Sequence, residues 1–259
     1  MSILNSLFGR RPRPEPMPDP ETARAVAEIA GCEWETVDPE LDAEGIMTLY
    51  LDALHEGRMV GFHPILVLAS HALLEILTVN CEENAGLSAF RGRLLTEDGS
   101  GGSTFLRERM AELLPEGEDD PDLYGAFDEN AVPPQTFASV AKGARRPDEI
   151  LLLLKLPIEK PWRCFAYLPV GNWNDCPTAP QMTAVCKYWH KQYGAFPAVI
   201  SRDELQLYVP VPVTLRTQAM QLAEEHYAFC PDIVDQGTGT LGTLAGNLVD
   251  SHIWYFWWE

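Results

Sequence analysis

Apolar positions along this chain follow two periods, and the switches between them mark its elements. ETARAVAEIA, with Pro20 before it and Gly31 after it, predicts a helix bounded by proline at its start and glycine just past its end. GIMTLYLDALHEG places Ile46, Leu49, Tyr50, Ala53 and Leu54 on one helical stripe, with Gly57 expected at its C-terminus. HPILVLA (63–69) is an unbroken apolar run and reads as a short buried strand. SHALLEILTVN follows as a helix capped by Ser70. GLSAFRGRLL and TFLRERMAELL are further helices on either side of the flexible DGSGGS.

In the second half, EILLLLKL (149–156) and RCFAYLPV (163–170) read as strands split by a PIEKPW turn. A helix then opens at Pro180, with Met182, Val185, Cys186, Trp189 and Tyr193 on one face, and stops at Gly194. FPAVI and LQLYVPV flank the polar SRDE as a hairpin. Thr214 is the expected cap of a helix whose stripe carries Leu215, Ala219, Leu222, Ala223, His226 and Cys230. QGTGTLG leads into a short helix bearing Leu241, Leu244, Ala245 and Leu248, and IWYFWWE closes the chain as a strand.

From Arg163 onward the order is β-α-β-β-α-(α)-β, that of the ferredoxin-like split βαβ fold. The expected fold is α+β: a ferredoxin-like β-α-β-β-α-β sheet domain over 146–259, packed on an N-terminal α/β region over 21–145. Residues 1–20, with RRPRPEPMPDP, are expected to form a disordered, Pro-rich tail favouring extended polyproline II. EGEDDPD (116–122) reads as a solvated connection, because it lacks the spacing and terminal Glu of an EF-hand.

Strand alternation in IWYFWWE puts Ile253, Tyr255 and Trp257 on one face and Trp254, Phe256 and Trp258 on the other. As a sheet edge, such a strand turns one face to helices and the other to water. A wet Trp254/Phe256/Trp258 face would be an unusual patch. The N-terminal region is expected to cover it, which would make this stretch the seam between the two regions.

Charge changes the picture. With 38 acidic and 19 basic residues, the formal net charge is −19. Nucleic-acid backbones would repel such a surface, whereas a basic protein partner suits it. No apolar run reaches the ~18 residues of a membrane span. The start, MSILNSLFGRRPRPEP, has its arginines after the apolar stretch, the reverse of a secretory signal, so a cytoplasmic location is expected. The six cysteines form no C-x-x-C pair, and no cofactor is indicated.

If the first strand of that sheet runs upward, GNWNDCP (171–177), SRDE (201–204) and FCPDIVDQG (229–237) share its top edge. They gather Trp173, Asn174, Asp175, Cys176, Arg202, Asp203, Glu204, Asp232 and Asp235 as a partner-binding edge. Caps and turns account for the same Asn and Asp residues. His226 and Cys230, four apart, share a helix face; with Cys176 or Asp232 they would make a nucleophilic or metal site, and as core residues a buried histidine beside a buried thiol. Asp175, Asp232 and Asp235 are the candidate carboxylates for a divalent ion. TGTLGTLAG lacks the Walker lysine, and its glycines suit a tight turn.

The stretches KPWRCFAYLPVGNWNDCP (160–177), AVCKYWHKQYGAFPAVI (184–200), AEEHYAFCPDIVDQGTGTL (223–241) and the final WYFWWE occur in order. Over about residues 149–259 the chain resembles the bacterial domain-of-unknown-function family 4253. The family ends its WW pair with Asp where this chain has Glu259, and GFHPILV (61–67) looks like a stretch found upstream in such proteins. The resemblance implies a domain and brings no reaction with it. Three functions stay open. The first is a non-catalytic protein-interaction module, in concrete form an immunity-type protein neutralising a basic toxin. The second is a small enzyme or divalent-metal-binding protein using Cys176, Asp232 and His226. The third is a structural or regulatory homodimer.

Overall fold

In a computed structural model, which describes residues 17–114 and 120–259, the helices open where the sequence supplies caps. Helix α1 (Pro20–Ala30) starts on Asp19, whose carboxylate accepts the N–H groups of Glu21 and Thr22, and ends on Gly31 at φ 64°. Most of the expected tail and the acidic stretch at 115–119 lie outside the described residues. Helix α2 (Ala43–Val60) runs a turn past its expected end and stops at Gly61, φ 94°. Gly57 has a different reason to be glycine: a Cβ there would sit 2.3 Å from the carbonyl oxygen of Phe62. Helices α3 (His71–Glu83, capped by Ser70), α4 (Leu87–Thr96), α5 (Gly102–Leu113) and the one-turn α6 (Pro121–Tyr124) follow.

The strands β1 (Glu33–Thr36), β2 (His63–Ala69), β3 (Ile150–Leu156), β4 (Phe196–Ile200), β5 (Glu204–Tyr208) and β6 (Ile253–Trp257) form one mixed sheet in the order β1-β3-β2-β4-β5-β6. All neighbours are antiparallel except β2 and β4, which pair in parallel through Leu66–Val199 and Val67–Ile200. Strand β3 thus lies between β1 and β2, so the regions before and after residue 146 share one sheet.

Two sequence expectations change here. Residues 163–170 are not a strand: Pro161–Ala166 form a 3-10 helix, and the chain to Thr178 is irregular. Cys164, Phe165, Ala166 and Leu168 are all buried, so the run has no alternation to separate a strand from a buried helical turn. Without that strand the ferredoxin-like sheet over 146–259 does not form. Strands β4, β5 and β6 are antiparallel neighbours in that order, and β2 from the N-terminal region stands between them and β3.

Helices cover both faces, which is why β2 and β3 read as continuous apolar runs. Ile65, Val67, Leu152, Leu154, Leu205 and Leu207 face the larger core, beneath α1, α3, α4, α5, α7 (Ala179–Tyr193), α8 (Arg216–Phe229) and α9 (Leu241–Leu248). Leu66, Leu68, Leu151, Leu153 and Phe196 face a smaller core under α2 and the turn at Ala138–Val140. Helix α8 starts at Arg216 with Leu215 in the cap position, so Thr214 does not cap it. Among the described residues no helix is long and apolar enough to cross a membrane.

Helix α5 lies close against α7 because Gly102 has no side chain. A Cβ at this position would stand 2.2 Å from the carbonyl oxygen of Ala184. Gly102→Ala is expected to push the helices apart and cost ~2 kcal/mol, readable in urea denaturation; an unchanged midpoint would show that the contact gives way freely.

Candidate functional site

The last two residues gather the loops. The Trp258 N–H donates to the Asp203 carbonyl oxygen at 3.1 Å, and the Glu259 N–H donates to Asp232 Oδ2 at 2.9 Å. Asn174 Nδ2 donates to the Glu259 carbonyl oxygen at 2.6 Å. The segments around 174, 203 and 232 therefore do meet at one sheet edge. What joins them is the end of β6, not the strand expected at 163–170.

Local chemistry explains each loop. Asn172 and Asn174 adopt left-handed φ values of 66° and 45°, which asparagine tolerates. Around Asn174, Trp173 and Cys176 close a tight turn through Cys176 N–H to the Trp173 carbonyl at 2.9 Å. In the β4–β5 turn, Ser201 Oγ accepts the N–H groups of Asp203 and Glu204. After α8, residues Ile233–Thr238 form a π-helix, and Asp232 Oδ1 accepts from Gln236 Nε2 at 3.1 Å.

Asp203 is buried and accepts a two-pronged pair from Arg146, at 3.0 and 2.7 Å. The same guanidinium reaches Glu149 at 3.0 Å. Asp203 therefore holds the turn together and is not free for a partner. Glu204 is half-buried beside Ser139 and Tyr255, and burial raises its pKa. Asp175 and Asp235 are exposed; Asp175 pairs with Arg109 at 3.5 Å and Asp235 with the Tyr227 hydroxyl. The three candidate metal carboxylates thus each have a separate partner, and among the described residues no group of three His, Cys, Asp or Glu side chains is placed to hold an ion.

The thiol chemistry runs the wrong way for a nucleophile. Cys176, expected on an open loop, is buried, and burial pushes its thiol up. Cys230 is raised to about 12, again chiefly by burial, while its Sγ donates to the Trp257 carbonyl at 2.9 Å. A reactive thiolate needs the opposite shift. His226 lies among the rings of Trp189, Trp254 and Phe256 at 4.7–5.1 Å and is 1% exposed. Burial lowers its pKa to about 3. The core reading of His226 and Cys230 is the one the structure bears out.

Loop and strand end frame a cleft of about 420 Å³ lined by Trp173, Trp257 and Trp258 together with Arg146, Arg202, Asp203, Glu75 and Glu259. Both arginines already pair with Asp203. The indole N–H groups of Trp173 and Trp258 are buried without an acceptor. Sequence reasoning did not find Arg146 or the α3 wall with Glu75. Arg146 sits in RRPDE, which reads as solvated charge, and only the tertiary approach of Asp203 gives it a role.

The buried histidines carry a pH prediction. Burial lowers His63 to about 4 and His226 to about 3, against an ordinary 6.5. Between these values the unfolded chain binds more protons. Stability is therefore complete above pH 6.5 and falls with pH by up to ~1.4 kcal/mol per unit for each histidine. Burial raises Glu149, Glu204 and Glu225, which acts in the opposite sense from about 4.5 upward. Comparison with His226→Leu cancels those carboxylates. From pH 7 to pH 5 the native chain should lose about 2 kcal/mol more than the variant in urea denaturation. Parallel profiles would refute it.

Fold and site together define an α+β protein on a mixed six-stranded sheet, with a tryptophan-lined cleft where three loops meet the end of the last strand. Within it, residues 152–259 match the model of the family described as a domain of unknown function, DUF4253. No curated protein and no solved structure matches the chain.

Proposed function

We propose that the protein is a non-catalytic interaction module that receives a basic partner segment at this edge. The observation that carries the reading is the composition of the cleft: three tryptophans line it together with the exposed carboxylates of Glu75 and Glu259. A lysine or arginine entering there meets ring faces and carboxylates together, the combination that binds cations best. Arg146 and Arg202 do not oppose it, since Asp203 and Glu149 together balance their charge. The overall charge of −19 adds long-range attraction for a basic protein. In its concrete form the module is a cytoplasmic, immunity-type protein that masks a basic toxin such as a nuclease.

The test is crosslinking in the native cell, followed by mass spectrometry. A stoichiometric basic protein linked at residues 171–177 or at Glu75 is expected, and Glu75→Lys should weaken its capture about tenfold. Recovery of no basic partner, or capture indifferent to the charge reversal, would overturn the reading. Sedimentation in parallel separates it from a homodimer occupying the same edge.

A further inference from the structure

A second cavity, of about 350 Å³, opens between the π-helix, α9 and the outer side of β6. Its walls are mostly apolar and include Ile233, Leu244, Leu248 and Ile253. Gln236 and Asn247 contribute amides, and His226 lines the interior. This volume lies at the small end of ligand pockets, which run from ~300 to 1,000 Å³. It suits a single-ring molecule and is too small for a peptide helix.

Of the described buried polar side chains without a partner, His226 is the one that lines this cavity, and it points to a ligand. Its Nε2 is buried and has no hydrogen-bond partner. The protein's other buried histidine, His63, places Nε2 3.1 Å from the Pro197 carbonyl, and the half-buried His190 and His252 also meet carbonyl oxygens. An unpaired buried polar group costs ~1–3 kcal/mol, and such exceptions need a reason. A leucine on this stripe of α8 would fill the space without that cost. The chain over the cavity is also unusual: π-helical geometry is rare and recurs at functional sites.

Charge narrows the occupant. Among the described residues no lysine or arginine lines the cavity, so a carboxylate or phosphate would lose its hydration unpaired. Among the described residues the one carboxylate in the lining is Asp232, both of whose oxygens already accept hydrogen bonds. We propose that this cavity binds an uncharged, ring-bearing small molecule whose hydroxyl or carbonyl pairs with Nε2 of His226. The site is independent of the partner edge, although Trp257 borders both.

The test uses the full chain labelled with ¹³C,¹⁵N-histidine and titrated with p-cresol, p-xylene and benzoate. The first two differ only by hydroxyl against methyl. p-Cresol is expected to move the His226 ring signals and the amides of 233–238 saturably, with p-xylene at least ~tenfold weaker and benzoate silent. In His226→Leu the preference for p-cresol should disappear. Asn247→Trp, at the half-exposed mouth, should abolish binding while leaving the core intact. Three results would each overturn the proposal: no response of these signals up to the solubility limit of p-cresol, equal affinity for p-xylene, or undiminished binding in Asn247→Trp.

Discussion

Removal of residues 254–259 is expected to leave a chain that no longer folds cooperatively. Trp254, Phe256 and Trp258 are each at most 2% exposed. Phe256 stacks on Trp189 at 5.4 Å and meets Phe229 edge-on at 5.0 Å. Trp254 packs on Trp189 and Tyr193 at 5.7 and 5.5 Å, and Trp258 on Phe229 at 5.5 Å. Each ring buries ~150–250 Å², which at ~25 cal/mol per Å² is about 4–6 kcal/mol. Three of them match or exceed the ~5–15 kcal/mol net stability of an ordinary domain. The deletion also strips β5 of its β6 pairing and unties the three loops held by residues 258 and 259. Loss of the near-ultraviolet circular dichroism and of a cooperative melt is the expected result. Phe256→Ala alone should cost ~3–5 kcal/mol. A truncated chain that melts like the full one would refute the role of the strand.

Arg146→Ala is the second large effect. The side chains of Glu149 and Asp203 are 2% and 7% exposed, and Arg146 pairs with both. Removing the guanidinium strands the buried Glu149 carboxylate and leaves Asp203 with Arg202 as its cation, which is worse than losing a surface bridge. The guanidinium itself is 37% exposed, so solvent screening moderates the cost to ~3 kcal/mol. Arg146→Lys should recover less than half of that, because one ammonium cannot reproduce the two-pronged contact. Asp203→Asn in the Arg146→Ala background should be much milder than the sum of the single changes. The double-mutant cycle in urea measures this coupling, and additive losses would mean that the pair contributes nothing.

The seam between the two regions shows where periodicity stops informing. The sequence assigned Trp254, Phe256 and Trp258 to one face, and that face is real. Its cover is α7 and α8 of the C-terminal region, through Trp189, Tyr193, His226 and Phe229, not the N-terminal region. The exposed side of β6 is the other one, with Tyr255 at 39%. The regions are joined instead by β2, inserted between β3 and β4. Alternation tells which residues share a face but says nothing of which element lies against it.

The candidate edge divides in the same way. That the loops carrying Trp173, Asn174, Asp203 and Asp232 would meet was expected from their positions, but the strand invoked to order them is absent and Asp175 pairs with Arg109 instead. The inertness of Cys176 and the engagement of Asp203 were not legible, because burial and the arrival of Arg146 depend on packing.

By itself, then, the chain determined its local elements: capped helices at Pro20 and Ser70, the buried run of β2, the β4–β5 hairpin and the aromatic closing strand. These follow from backbone sterics, capping and apolar periodicity, which act over a few neighbouring residues. Only the tertiary structure decided the strand order, the 3-10 turn at Pro161–Ala166, the bridging role of Arg146 and the unpaired His226. Each of these rests on contacts between residues distant along the chain, where the outcome is set by which surfaces exclude water together.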